Sequence, residues 1–165
     1  MSKIKERSLY KPILELFNPD HDTFAEVYFS RKRVDLVFVE KKEKKIIAVE
    51  LKVSDWRSAL NQAVTNQLFA DESYIAFANK KLELSRKAWP WFIKFGVGVI
   101  LVGKGENKII IPAIQSKHII DYHRKAIMKL LDTASLTTKT TLEEFENGIP
   151  ATPPRTMAFL PAGSY

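Results

Sequence analysis

Apolar positions in the first half of the chain change from a helical spacing to a strand spacing. Over Lys5–Phe17 the apolar side chains recur every three to four residues, which predicts a helix that stops at Asn18-Pro19-Asp20. Alternating or continuous apolar runs follow, and the polar connection Lys41–Lys45 is short enough to join two of them as an antiparallel hairpin. The strands predicted here are Thr23–Phe29, Val34–Glu40 and Ile46–Val53.

The second half continues the alternation between helix and strand. Ser54 is a suitable N-cap for a helix that runs to about Ala70, and Arg31-Lys32-Arg33 is expected to form the turn between the first two strands. The further predicted elements are a strand at Tyr74–Ala78, a helix at Leu82–Ile93, strands at Val97–Val102 and Lys108–Pro112, a helix at His118–Leu131 and a short helix at Leu142–Asn147. This order predicts an α/β fold with one mixed β-sheet flanked by helices on both faces. We expect the domain to span residues 1–132, with a Pro-rich C-terminal arm at residues 133–165.

Composition narrows the class of protein. The 165 residues are 45% hydrophobic, which is enough for one domain with a buried core. The absence of cysteine excludes disulfide-stapled scaffolds and Cys-ligated zinc or iron–sulfur sites, and the three histidines have no zinc spacing. The most apolar run, Phe95–Gly103, is too short to cross a membrane, and the N-terminus lacks the apolar segment of a signal peptide. We therefore expect a cytoplasmic protein with no membrane partner.

The positive charge is concentrated in one region of the sequence. The net charge is +7, and residues 79–130 carry 11 basic and 3 acidic side chains. Such an excess is typical of proteins that bind a phosphate backbone, although a basic surface also serves solubility. Charge alone leaves both interpretations open.

Three charged residues interrupt strands that are otherwise apolar: Asp35, Glu50 and Lys52. Ionised side chains are rarely buried without partners, because desolvation costs several kcal/mol. Glu50 and Lys52 are two residues apart and share one face of their strand. Antiparallel pairing across the hairpin places Asp35 opposite them, so two carboxylates and an ammonium are expected to meet at one edge of the sheet.

This grouping suits metal-assisted hydrolysis of a phosphodiester. Two carboxylates can bind Mg²⁺ or Mn²⁺ and leave coordination positions for water and phosphate oxygens. A neighbouring lysine can orient the attacking water and stabilise negative charge. A structural Asp–Lys–Glu ion-pair network is the alternative interpretation of the same residues.

The arrangement resembles the PD-(D/E)XK nuclease superfamily, which has the restriction-endonuclease-like fold and includes Holliday-junction resolvases and repair nucleases. The resemblance covers roughly half the chain, residues 5–78, with Val34 where the motif has Pro. It implies that Asp35 and Glu50 are the metal-binding carboxylates and Lys52 the catalytic lysine. It also implies that the Leu51 carbonyl reaches the metal and that Gln62, on the following helix, supports the site.

Other residues are candidates for the same site or for its substrate. Glu26, which lies inside a strand, is the preferred third carboxylate, ahead of Glu6 and Glu15 in the first helix. The side chains expected to bind nucleic acid are Arg31, Lys32, Arg33, Lys80 and Lys81. The tryptophans Trp56, Trp89 and Trp91 either stack on unpaired bases or pack in the core.

The function expected from these observations is a Mg²⁺- or Mn²⁺-dependent nuclease that acts on DNA. A homodimer is expected if both strands of a duplex are cut. The alternatives are a nuclease for RNA or a small nucleotide, and a catalytically silent nucleic-acid-binding module of the same fold. The absence of a base-reading motif favours recognition of shape or of a junction over a fixed short target.

Overall fold

A computed structural model of the chain describes residues 6–17, 19–78, 82–103 and 107–137. Side chains are described over residues 8–17, 19–78, 86–103 and 107–134. The predicted helix at Leu142–Asn147, residues 138–165 of the Pro-rich arm and the two lysines Lys80 and Lys81 lie outside the described residues.

The helices and strands follow one another in the predicted order. They are a 3₁₀ turn at Glu6–Leu9, α1 at Tyr10–Phe17, β1 at His21–Phe29, β2 at Lys32–Glu40, β3 at Ile46–Lys52, α2 at Trp56–Asn66, β4 at Glu72–Ala78, α3 at Leu82–Phe95, β5 at Gly98–Val102, β6 at Asn107–Ile111 and α4 at Asp121–Thr137. The expected domain boundary after residue 132 falls inside α4, and the division into a domain and an arm remains a prediction.

The six strands form a single mixed sheet in the order β1-β2-β3-β4-β5-β6. The first three strands make an antiparallel meander, β3, β4 and β5 run parallel, and β6 pairs antiparallel with β5. The parallel pairs are connected by α2 and α3, as parallel strands require a crossover connection.

Helices cover both faces of this sheet, which confirms the predicted fold class. On one face α1 packs on Leu36, Phe38 and Val49, all of them buried. On the other face α2, α3 and α4 pack on strand residues of opposite parity, including Ile75 and Phe77. The central strands are covered on both sides, which explains their nearly continuous apolar sequence.

The β1–β2 turn is tighter than the sequence predicts. Phe29 pairs with Lys32, so the turn consists only of Ser30 and Arg31, whose φ angles are 49° and 64°. Two positive φ angles are characteristic of the type I′ turn, whose twist matches that of a hairpin. The prediction that all of Arg31-Lys32-Arg33 forms the turn is therefore wrong, because Lys32 and Arg33 belong to β2.

The cap of α2 also differs from the prediction. The Asp55 carboxylate accepts a hydrogen bond from the Ser58 amide at 3.1 Å, and the helix begins at Trp56. Ser54 lies one residue earlier, where its carbonyl accepts from the Trp56 amide. Asp55, rather than Ser54, is therefore the N-cap.

No helix in the described ranges has the length and apolar character needed to span a membrane.

Candidate active site

The candidate site lies where β2 and β3 stop pairing. Leu36 and Val49 are the last paired residues, so Asp35 and Glu50 occupy the next pair of opposed positions. In place of a further backbone bond, the Leu51 amide donates to the Asp35 carboxylate at 2.9 Å. The Asp35 carboxylate is thus fixed across the end of the hairpin, as the counting of residues from the turn predicts.

Both carboxylates are withdrawn from solvent. Asp35 is 5% exposed and Glu50 is 1% exposed. The Asn66 amide, at the end of α2, donates to Glu50 Oε1 at 2.7 Å. The other oxygen, Oε2, is also buried and accepts no hydrogen bond from the described residues, although the Asp35 carboxyl group lies close enough to share a proton with Glu50. A buried acceptor without a partner is costly, which makes Oε2 the atom of this site that most needs a donor or a cation.

The environment of Glu50 favours its protonated form. The pKa of Glu50 is raised to about 8, mainly by burial, and the neighbouring charge of Asp35 and a hydrogen bond with the Asp35 carboxyl group act in the same direction. The Asn66 hydrogen bond and the positive charge of Lys52 lower the pKa, but they offset only part of the increase. A shift of this size in a buried carboxyl group beside a second carboxylate is typical of functional sites, although structural networks also produce it.

Glu26 and Arg33 form the outer part of the site. The Arg33 guanidinium lies 3.3 Å from Asp35 Oδ1 and 3.8 Å from Glu26 Oε1. Burial lowers the pKa of Arg33, but the charges of Asp35 and Glu26 raise it above its ordinary value overall. Glu26 stands opposite Asp35 on β1 and has a φ of 53°, a left-handed conformation that is unusual for a glutamate inside a strand.

Lys52 and Leu51 lie at the end of β3. Lys52 is half-buried and close enough to Glu50 to lower its pKa. The Leu51 side chain is buried on the opposite face of the sheet, so only its backbone faces the site. Its amide already binds Asp35, and the expected role of its carbonyl as a metal ligand remains a prediction.

Gln62 lies on α2 one helical turn before Asn66, so the two side chains share a face of the helix. Gln62 is half-buried, and its Oε1 has no hydrogen-bond partner among the described residues. Asn66, by contrast, is in direct contact with Glu50. Asn66 is not among the residues predicted from the sequence; the signal that points to it is an amide side chain at position i+4 from Gln62 on the helix that follows the motif.

The carboxylates of the site do not form a dense cluster, and three of the four oxygens of Asp35 and Glu50 already contact Leu51, Arg33 or Asn66. Within the described ranges no group of three or more His, Asp or Glu residues is arranged to hold a metal ion. Asp35 and Glu50 are nevertheless hard oxygen ligands, and Mg²⁺ is usually held by one or two carboxylates together with water and phosphate oxygens. The buried Oε2 of Glu50 fits such an ion. Glu15 is exposed on α1, and the side chain of Glu6 lies outside the described part of the chain.

The residues expected to bind nucleic acid are only partly gathered here. Arg31 and Lys32 are exposed at the β1–β2 turn, and the Lys32 ammonium donates to the Thr65 hydroxyl at 3.3 Å. Arg33 is half-exposed but is bound to the two carboxylates.

Comparison with solved structures supports the fold. A protein of unknown function from Silicibacter pomeroyi matches with a TM-score of 0.62 and 16% identity, over 88% of this chain and 96% of that one. A weaker match is the SfsA protein of Pyrococcus furiosus in complex with Ca²⁺, with a TM-score of 0.35 and 12% identity over 67% of this chain and 62% of that one. At these identities the first match shows the shared fold alone, and the second is too distant to carry an argument.

No family model matches the chain, and no curated protein matches it either.

Proposed function

We propose that this protein is a Mg²⁺- or Mn²⁺-dependent nuclease of the PD-(D/E)XK type that hydrolyses phosphodiester bonds in DNA. The observation that carries the proposal is the meeting of Asp35 and Glu50 at the end of the hairpin, with Glu50 Oε2 buried and accepting no hydrogen bond from a donor side chain or amide. A purely structural pair of buried carboxylates would be costly, since each raises the free energy of ionising the other.

Each residue has a role in this proposal. Asp35 and Glu50 hold the metal ion, which when bound supplies an acidified water and neutralises charge on the phosphate. Lys52 orients the water and stabilises negative charge on the phosphate. Asn66 fixes Glu50 through Oε1, which leaves Oε2 for the metal. Leu51 contributes a carbonyl, and Gln62 supports the site from α2.

The proposal extends to the location of the protein and to its oligomeric state. It includes a cytoplasmic location, and a homodimer wherever both strands of a duplex are cut, because one small domain with one site cuts one strand at a time.

The first test is cleavage of labelled duplex, single-stranded, flap and four-way-junction DNA and of RNA, in Mg²⁺, Mn²⁺ or EDTA. The variants are Asp35→Asn, which keeps an acceptor for the Leu51 amide, and Lys52→Ala. Glu43→Gln is the matched control, because Glu43 is an exposed carboxylate in the hairpin loop. We expect metal-dependent cleavage that falls at least about 100-fold in both site variants and is unchanged in the control.

A silent nucleic-acid-binding module is the second candidate, and the Arg33–Asp35 ion pair favours it. A guanidinium against Asp35 provides a charge partner without any metal. Salt-dependent DNA binding without cleavage, equal in wild type and site variants, would establish this second function and exclude the first. Cleavage restricted to RNA or to a small nucleotide would retain the chemistry and change the substrate.

A further inference from the structure

The last turn of α3 exposes an unusual amount of apolar and aromatic surface. Trp91 is 47% exposed, Ile93 59% and Phe95 41%, and Ile114 beside them is 58% exposed. We call the surface formed by Trp91, Lys94, Phe95, Ile114 and Lys117 the α3 platform. Large apolar side chains gathered at one place on a surface usually mark a binding site.

The aromatic pair of the platform has an ordered geometry. The rings of Trp91 and Phe95 are stacked, with centroids 6.5 Å apart and planes 15° from parallel. The Lys94 ammonium lies 5.4 Å from the Trp91 ring centroid and 5.8 Å from that of Phe95. The two rings and the cation therefore present parallel π-faces next to a positive charge, an arrangement onto which a further flat ring can stack.

Basic side chains predominate around the platform. Between Arg86 and Ile120 the described residues include no Asp or Glu, whereas Lys87, Lys94 and Lys117 are exposed. The next carboxylate along the chain, Asp121, is paired with Lys125. A cavity of about 150 Å³ adjoins Phe95 and is lined by Lys94, Lys117 and His118. No ion pair with another described residue involves Lys94 or Lys117. The platform thus combines stacking surface with uncompensated positive charge.

The platform lies away from the candidate active site. Lys52 pairs with Phe77 at one end of the sheet, whereas Tyr74, three residues earlier in β4, pairs with Gly98, just after the end of α3. Three residues of strand correspond to about 10 Å, and two strand spacings separate β3 from β5. The platform is therefore a second surface, separate from the candidate site.

We propose that the α3 platform binds single-stranded nucleic acid, with a base stacked on the Trp91–Phe95 pair and phosphates beside Lys94 and Lys117. Unpaired bases offer π-faces that a duplex hides, and a backbone of phosphates matches a surface with cations alone. An acidic peptide would use the charge but not the parallel rings. This inference rests on the proposed nuclease function and specifies its substrate class, a nucleic acid with an unpaired strand.

The test is fluorescence-anisotropy binding of labelled dT12 and rU12 in EDTA, where no metal-dependent cleavage contributes. The variants are Trp91→Leu, which keeps apolar bulk without a π-face, Trp91→Phe, which keeps a π-face, and Lys94→Ala. Tyr122→Leu is the matched control, because Tyr122 is 49% exposed on α4 and its ring contacts His123. We expect Trp91→Leu to weaken binding about ten-fold, Trp91→Phe and Tyr122→Leu to change it less than about three-fold, and Lys94→Ala to reduce its salt dependence. Labelled dU12, which differs from rU12 only in its sugar, is compared with rU12 to identify the sugar preference.

Several outcomes would overturn the inference. Absence of dT12 and rU12 binding by wild type would do so, as would equal binding by wild type and Trp91→Leu. A dimer in sedimentation velocity that dissociates in Trp91→Leu, with dT12 binding unaffected, would assign the platform to a second copy of the chain. The two proposals fail separately: duplex cleavage without dT12 binding overturns only this inference, and dT12 binding without cleavage of any substrate overturns only the nuclease function.

Discussion

Glu50 is a carboxyl group whose surroundings disfavour its ionised form. An ionised carboxylate that is 1% exposed loses most of its hydration, and a second carboxylate at the opposed strand position adds repulsion. Asn66 compensates one oxygen with a hydrogen bond, and Lys52 supplies part of the missing charge. The remaining negative charge of Glu50 is neutralised by a proton or, in the proposed function, by a cation.

This balance predicts how stability depends on pH without metal. The pKa of Glu50 is about 8 in the folded protein and ordinarily 4.5, so the folded state holds an additional proton between these values. The contribution of Glu50 is therefore fully present below about pH 4.5 and declines as the pH rises towards 8, by roughly 1.4 kcal/mol per pH unit at most. We expect Glu50→Gln to remove this decline, measured by urea unfolding at pH 5 and pH 8 in EDTA.

The exposed variant Glu43→Gln should keep the wild-type difference between the two pH values. If wild type and Glu50→Gln lose equal stability from pH 5 to pH 8, the raised pKa of Glu50 is refuted.

At the scale of single elements, the local sequence determines whether a segment is a helix or a strand. The residue at which a helix begins depends on which side chain can bind a free backbone amide of the first turn. Ser54 and Asp55 are adjacent, and both are residue types that often cap a helix. Which of them caps α2 depends on the residue at which the helix begins. The first turn of α2 starts at Trp56, which places the Asp55 carboxylate against the Ser58 amide and leaves Ser54 in the preceding bend.

Two parallel substitutions test this assignment. Asp55→Ala removes the cap of α2 and should lower the free energy of unfolding by about 1 kcal/mol, whereas Ser54→Ala should lower it by less than about 0.5 kcal/mol. Urea denaturation of both variants measures the difference. A larger loss in Ser54→Ala would show that Ser54 caps the helix.

At the scale of the whole molecule, Asp71 joins distant parts of the chain. Its carboxylate accepts a hydrogen bond from the Ile46 amide at 2.7 Å and forms a 2.7 Å ion pair with Arg124 of α4. Its carbonyl accepts from the Ser116 amide, and the second Arg124 nitrogen donates to the Lys44 carbonyl. Asp71 thereby connects the hairpin and α4 through its carboxylate, and the segment after β6 through its carbonyl.

We expect Asp71→Ala to destabilise the protein by about 3 kcal/mol, because it leaves the buried Ile46 amide without an acceptor and removes the charge partner of Arg124. Lys125→Ala is the matched comparison, because the ion pair between Lys125 and Asp121 is exposed to solvent. This substitution should change the free energy of unfolding by less than about 0.5 kcal/mol. Thermal and urea unfolding of both variants test the contrast. Equal effects in the two variants would show that the Asp71 network contributes no more than a surface ion pair.

Much of the fold and part of the candidate site follow from local patterns. Apolar periodicity sets the type and order of the elements from α1 to α4, and the short polar loop at residues 41–45 fixes the β2–β3 register within a residue. That register is sufficient to bring Asp35 opposite Glu50. It does not predict that Arg33 contacts Asp35. The sequence places Arg33 in the β1–β2 turn, whereas the turn consists only of Ser30 and Arg31 and Arg33 lies in β2.

The sequence by itself determined the α/β architecture, the antiparallel hairpin and the convergence of Asp35, Glu50 and Lys52, because each depends on a period or a count between neighbouring elements. Only the tertiary structure decided that Asn66 holds Glu50, that Arg33 joins Asp35 to Glu26, and that Trp91 and Phe95 stack at the surface under Lys94. These contacts depend on how a helix is rotated against the sheet and on which face remains uncovered. Packing of the whole chain sets both, and no local spacing encodes them.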